Sequence, residues 1–258
     1  MLTKGERPVA IVTGGAKRVG RAIAVSLAKA GCDIIVTYNT SSAQAEVTAE
    51  QVQIDAPRST IHLRRLDLAD LSAVDLFAVQ MAEQLPRIDV LVHNASLYEP
   101  TPTSRLTPEA CERFYRVNAV APLMLSRAFS SRLGACPLPG GGAIVTMCDI
   151  HAMGSLGQPR RDHLAYSMSK AALLEMTLVL ARELAPRVRV NAVAPGVVAF
   201  PETGHEADAA AQAKYLSRVP LARAGTPADA AEAVTWLALR AQYCTGQVIN
   251  VDGGRSLT

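Results

Sequence analysis

The feature that most constrains this chain is an alternation. Seven short runs rich in branched apolar residues (PVAIVT, CDIIVTY, STIHLRRLD, RIDVLVHN, GAIVTMC, VRVNAVAP and GQVINVDG) are separated by six alanine-rich stretches with helical spacing. One such stretch, RAIAVSLAKAG, ends at Gly31, where a helix-terminating glycine is expected. Strands that alternate with helices predict βαβ units and a single doubly wound parallel sheet of seven strands, a Rossmann-type three-layer α/β fold. Runs that stay apolar on consecutive positions, such as IIV and AIV, suit strands covered on both faces.

The 258 residues suffice for one substantial core. No linker, repeat or low-complexity block divides them, so one domain over 1–258 is expected. Two segments read as loose. LGACPLPGGG, 133–142, reads as a surface turn before a strand. AFPETGHEADAA, 199–210, has mixed polarity after a Pro-Gly, and 199–217 is expected to be a mobile loop over the substrate.

A net charge of +3, evenly spread, gives no electrostatic footprint for nucleic acid. The five cysteines form no CxxC pair, which argues against zinc and against a disulfide framework and fits a reducing compartment. No apolar run in the sequence reads as a bilayer span, and MLTKGERP has no signal-peptide character. A cytoplasmic protein is expected. His93, His151, His163 and His205 lie in different segments without paired spacing, so no metal site is expected.

The first strand leads into TGGAKRVG, Thr13 to Gly20. A strand before and a helix after make this a candidate nucleotide turn. Gly14 and Gly15 allow the sharp bend, and Gly20 allows helix and strand to approach closely. The helix start then offers unpaired N–H groups to a pyrophosphate, with Lys17, Arg18 and Val19 beside it. The second strand ends in Tyr38, Asn39 and Thr40, with no Asp or Glu to bind a free ribose hydroxyl. Hydroxyl and amide groups there, with Lys17 and Arg18, favour NADP(H) over NAD(H).

Taken in order, several pieces resemble the short-chain dehydrogenase/reductase family over nearly the whole chain. They are TGGAKRVG, Asp67-Leu68 after the third strand, Asn94-Ala95 after the fourth, Asn118, YSMSK (Tyr166 to Lys170), NAVAPG and the terminal VDGG. Arg18 stands where the family usually has Gly, and Asp149 where it usually has Ser. Both departures, with HNASLYEPTP and VDGGRSLT, resemble the pteridine reductases; bacterial dihydromonapterin reductases are a close neighbour. The resemblance implies NADPH, a pterin or folate substrate and a homotetramer. It implies dinucleotide contacts at Gly14, Lys17, Arg18, Val19, Tyr38, Asn39, Thr40, Asp67, Leu68, Asn94, Ala95, Ser96, Tyr166, Lys170, Pro195, Gly196 and Val197. Relative to the pteridine reductases, the residues around Arg160–Asp162 are extra and imply a longer loop near the site.

The residues themselves can do the implied chemistry. Tyr166 and Lys170 are four apart and share a helix face. A nearby ammonium favours the phenolate of a group that otherwise titrates near ~10. In the family, Asn118 holds a helix bulge and a water that leads to the lysine. Asp149 follows a strand at the carboxyl edge of the sheet, where ligands bind. A carboxylic acid there can exchange a proton or bind an N–H edge, as reduction of a C=N bond requires; it can equally be a turn residue in CDIHAMG. Arg18 can bridge the pyrophosphate and a carbonyl edge of the pterin. Tyr98 aligns with an aromatic that covers the pterin, or packs as a loop tyrosine; Ser96 would contact cofactor or substrate. Catalysis is thus assigned to Asp149, Tyr166, Lys170 and Asn118, and substrate binding to Arg18, Ser96, Tyr98, Asp149 and Tyr166. The alternatives are a ketone or 3-oxoacyl-carrier-protein reductase, and a non-catalytic NADP-binding regulator.

Overall fold

A computed structural model describes residues 7–152, 161–200 and 207–258. Seven strands form one sheet: β1 (Val9–Val12), β2 (Asp33–Tyr38), β3 (Ile61–Arg65), β4 (Val90–His93), β5 (Gly142–Met147), β6 (Val188–Pro195) and β7 (Val248–Val251). Their order is β3-β2-β1-β4-β5-β6-β7, and every pairing is parallel. The chain therefore winds outward from β1 in one direction and, from β4, in the other. Between β1 and β4 the connections leave on opposite sides, which opens a crevice at the carboxyl ends of the strands.

The helices α1 (Arg18–Lys29), α2 (Ser42–Asp55), α3 (Leu71–Gln84), α4 (Pro108–Tyr115), α5 (Ala121–Gly134), α6 (Leu164–Glu183), α7 (Ala209–Leu216) and α8 (Pro227–Leu239) make the outer layers. The apolar strands divide their side chains between two cores. Ala10 and Val12 of β1 pack with α1 and α8, whereas Val9 and Ile11 face α3 and α5. Burying alternate residues on both faces is what the unbroken apolar runs require.

Local chemistry sets the helix ends. The Asp70 carboxylate accepts from the N–H groups of Ser72 and Ala73 to start α3. Thr226 and Asp229 form a reciprocal capping box at α8, with Pro227 in the first turn. Gly31 follows α1 at φ +107°, one residue past the cap at Ala30. Between α4 and α5 the residues Arg116–Val120 form a π-helical turn, so the expected long helix carries a one-residue bulge.

Two expectations for loops change. Leu133 and Gly134 are still helical, at the end of α5, and Gly142 already belongs to β5, so the turn is shorter than 133–142. Within 199–217, the residues Ala209–Leu216 form α7, capped by the Asp208 carboxylate on Ala211 N–H. The run AAAQAKYL has high helix propensity, which outweighs the loop character of the residues before it. Residues 201–206, His205 among them, and Arg160 lie outside the described residues. Helix α6 is long and apolar enough to cross a membrane by length and composition; half of it is buried in the fold, where it packs on β6.

Candidate active site

The turn after β1 is tied to the turn after β4. The Thr13 hydroxyl accepts from the N–H groups of Asn94 (3.1 Å) and Ala95 (3.2 Å). The Asn94 amide donates back to the carbonyls of Thr13 (3.0 Å) and Gly14 (2.9 Å). Gly14 sits at φ +63°, and a Cβ there would lie 2.8 Å from Ala95 Cα. A Cβ on Gly20 would overlap the Gly14 carbonyl and come within 2.6 Å of Asn94 Nδ2. Backbone therefore lies where side chains would otherwise stand.

Helix α1 begins without a side-chain cap: its N-cap is Lys17, and its first turn holds no acidic residue. Lys17, Arg18 and Arg21 instead crowd a terminus whose dipole disfavours cations unless an anion is present. An uncapped helix start, a side-chain-free cradle and clustered cations fit a dinucleotide pyrophosphate.

A cleft of about 1190 Å³ runs from this turn along the strand ends. It is lined by Gly14, Lys17, Arg18 and Val19 at one end, then by Tyr38, Asn39, Thr40, Asp67 and Leu68. Asn94, Ala95, Ser96, Tyr98, Asp149, Tyr166, Lys170, Gly196 and Val197 also line it. Two of the expected site residues do not. Pro195 is the last residue of β6, in register with Val251, and reaches the cleft only by setting the position of Gly196. Asn118 lies behind the wall rather than on it.

Around the reacting end, α6 carries Tyr166 and Lys170 on its buried face. The Tyr166 hydroxyl donates to Asp149 Oδ2 at 2.9 Å. The other oxygen, Oδ1, accepts from the N–H of His151 at 2.8 Å. Asp149 is thus both a turn residue and a partner of the tyrosine. Lys170 Nζ lies 5.8 Å from the centre of the Tyr166 ring and donates to the Met147 carbonyl at 2.7 Å. Burial holds the Lys170 ammonium below the usual lysine range, against the opposing pull of Cys148 and Asp149.

Asn118 occupies the π-turn. Its Oδ1 accepts from Leu97 N–H (2.8 Å), and its Nδ2 donates to Leu97 O (3.0 Å) and to the Ser169 hydroxyl (2.9 Å). It fastens the loop after β4 to the helix that bears Tyr166. Ser169 in turn donates to the Tyr166 carbonyl at 2.7 Å.

Tyr98 stacks on the His163 ring at 4.7 Å and meets the Tyr166 ring edge-on at 4.9 Å. The Ser96 hydroxyl donates to Leu97 O at 3.4 Å. Arg18 has a left-handed backbone, φ +52°, and its Nη2 donates to the carbonyls of Ala199 (2.7 Å) and Phe200 (3.2 Å). Its guanidinium therefore spans from the phosphate turn to the segment after β6. Cys148, beside Asp149, is buried, and burial pushes its thiol up, which suits a core residue rather than a nucleophile. Among the described residues no three His, Cys, Asp or Glu side chains are grouped to hold a metal ion.

Sequence reasoning missed Thr13 and Ser169, whose hydroxyls fix the turn and the helix, and His163, which backs Tyr98. His163 stands three residues before Tyr166, one helical turn away, and that spacing was the available signal.

The family model described as enoyl-(acyl carrier protein) reductase matches residues 14–256. The chain belongs to the short-chain dehydrogenase/reductase family. Members of this family are oxidoreductases that use nicotinamide dinucleotides. An uncharacterized oxidoreductase of Methylorubrum extorquens is 34% identical over 258 residues, covering 98% of this chain and 99% of that one. A 3-oxoacyl-[acyl-carrier-protein] reductase of Staphylococcus aureus is 32% identical over 250 residues, covering 95% and 96%. The solved structure of a Sinorhizobium meliloti protein described as a short-chain alcohol dehydrogenase superposes with a TM-score of 0.87 at 27% identity, covering 97% of each chain. In this member of the family Asn118 is tied through Ser169 to the helix that bears Tyr166 and Lys170, and Asp149 accepts from the tyrosine.

Proposed function

We propose that this chain is an NADPH-dependent pteridine reductase, acting on a C=N bond of an oxidised or dihydro pterin. The observation that carries the reading is the 2.9 Å bond from the Tyr166 hydroxyl to the Asp149 carboxylate, at the floor of a cleft walled by the Tyr98 ring. A ketone needs one hydrogen-bond donor at its oxygen. A pterin ring also presents N–H donors, and a carboxylate accepts from them where a serine hydroxyl is a weaker partner.

When bound, the dinucleotide supplies the hydride. Tyr166 gives its phenol proton to the ring nitrogen next to the reduced carbon, and the buried Lys170 ammonium stabilises the phenolate left behind. In the free protein the phenol O–H points at Asp149; it turns to the ring nitrogen when the pterin binds, and Asp149 then accepts from the aminopyrimidine edge. Asn118 holds the loop and the helix in register. Tyr98 covers the planar ring, which contributes ~1 kcal/mol beyond burial. Arg18, already turned to the segment after β6, faces the carbonyl edge. Preference for the 2′-phosphate is supported by Tyr38, Asn39 and Thr40, with Lys17 nearby and no carboxylate among them. The homotetramer is supported by apolar side chains exposed on α5 and α6, Leu123, Met168 and Val179.

The second reading is a 3-oxoacyl-carrier-protein reductase, favoured by the relative of that name at 32% identity. Steady-state oxidation of NADPH decides between them. Turnover of a dihydropterin with little or no turnover of acetoacetyl thioester supports the first, and the reverse pattern overturns it.

A further inference from the structure

Tyr98 lines the main cleft, yet it stands on the loop between β4 and α4 and is 37% exposed. An exposed loop side chain samples several rotamers unless its neighbours fix it. Two rings meet this one. The His163 imidazole lies against it, with 4.7 Å between centres and 19° between planes. The Tyr166 ring stands nearly perpendicular to it at 4.9 Å.

The imidazole is itself anchored. His163 is buried, and its Nδ1–H donates to the Arg161 carbonyl at 2.8 Å, which sets the plane of the ring. Its own carbonyl accepts from Ser167 N–H at 2.9 Å, in the first turn of α6.

For a histidine this position is locally unfavourable. His163 is the N-cap of α6, where Ser, Thr, Asp or Asn would accept from the first turn, and its side chain makes no capping bond. The Thr101 hydroxyl acts from outside the helix instead, accepting from Ala165 N–H at 3.4 Å. Thr101 follows Tyr98 on the same loop and pairs with His163 in a single parallel bridge. The sequence thus gives up a local cap at 163 and spends the side chain on a ring that walls the cleft. A break of a local rule without local gain marks a functional position.

We propose that His163 is a positioning residue: its imidazole holds the Tyr98 ring in the cleft wall by stacking, and a ring so held favours substrates flat enough to pack on it. The second half rests on the pteridine reading above.

Two variants separate the ring from the fold. His163→Ser supplies a helix cap and removes the ring, whereas His163→Phe keeps a ring without the Nδ1 bond. The first half is tested without turnover. The chain has six tyrosines, so labelling with 3-fluorotyrosine gives few fluorine signals, and Tyr98→Phe identifies the one from residue 98. In the wild type that signal should lie away from the position of free 3-fluorotyrosine. It should move to the free position in His163→Ser and stay displaced in His163→Phe. A signal that does not move in His163→Ser, or that moves as far in His163→Phe, overturns the positioning role.

Kinetics read the second half. In His163→Ser, KM for dihydrobiopterin should rise roughly three- to tenfold, the weight of one aromatic pair, while kcat and KM for NADPH stay within about twofold. His163→Phe should restore the KM. An unchanged KM in His163→Ser, a KM that His163→Phe leaves raised, or a loss confined to kcat overturns selection by the stack. If the wild type reduces no dihydropterin, the pteridine reading fails and this half with it, while the fluorine signal still decides the positioning role.

Discussion

The Tyr166 hydroxyl and the Asp149 carboxylate share a hydrogen bond of 2.9 Å, although 17 residues separate them in the chain. Two roles follow, and substitution separates them. Tyr166→Phe removes the proton donor and should lower kcat by ~10²–10⁴-fold at unchanged fold, measured by NADPH oxidation and circular dichroism. Asp149→Ser should shift the ratio of kcat/KM values from pterin towards carbonyl substrates by roughly tenfold or more. Full pterin turnover in Asp149→Ala would remove this carboxylate from the mechanism.

Arg18 has a strained backbone and a bridging side chain. Arg18→Gly relieves a left-handed conformation worth about 1 kcal/mol while deleting the bonds to the Ala199 and Phe200 carbonyls. Its melting temperature should therefore change little, while KM for the pterin rises about tenfold. Arg18→Lys should not restore KM, because an ammonium cannot present a planar fork.

Gly20 has no room for a side chain. Gly20→Ala drives a Cβ into the Gly14 carbonyl and towards Asn94 Nδ2, so the phosphate turn must open. The expected outcome is at least a hundredfold loss in NADPH affinity by fluorescence titration, or failure to fold. Wild-type affinity would show that the turn has slack the geometry denies.

His93 is buried and neutral. Its Nε2 meets the Ser126 hydroxyl at 2.8 Å, and burial, aided by the Lys170 charge, holds its pKa down to about 3 from 6.5. The unfolded chain binds a proton below about 6.5 that the folded chain refuses until about 3, so stability falls as pH drops through that window. Between pH 7 and pH 5 the loss from this group is about 2 kcal/mol. Urea midpoints at the two pH values should show it in the wild type. His93→Gln should flatten the difference, and an equal slope in both proteins would assign the acid loss to other groups.

The strands were legible because each is an apolar run of the right length between turn residues, and all seven lie where the runs predicted. The pairing order follows from βαβ winding. Most of the cleft was legible for a different reason: its residues sit in short motifs just after strands, where the sheet's geometry delivers them to one edge. What escaped were contacts between segments far apart in sequence. Nothing in TGGAKRVG announces that Arg18 reaches Phe200, 182 positions away. Nothing in AAAQAKYL announces that Tyr215 will touch both Val197 and Arg255. Propensity reports local preference, and these contacts arise only once the layers have packed.

The π-turn at Arg116–Val120 acts as a phase adjuster between α4 and α5. Each helical residue turns the chain by about 100°, so one surplus residue sets the rotational offset between the two segments. Excising a single residue there would leave an uninterrupted helix with good local geometry. It would nonetheless roll α4 away from α6, lifting Phe114 out of its packing and swinging Asn118 off the Tyr166 helix. Chain length at this point is therefore a parameter in its own right: the number of residues in the turn, and not only their identity, decides where Asn118 points.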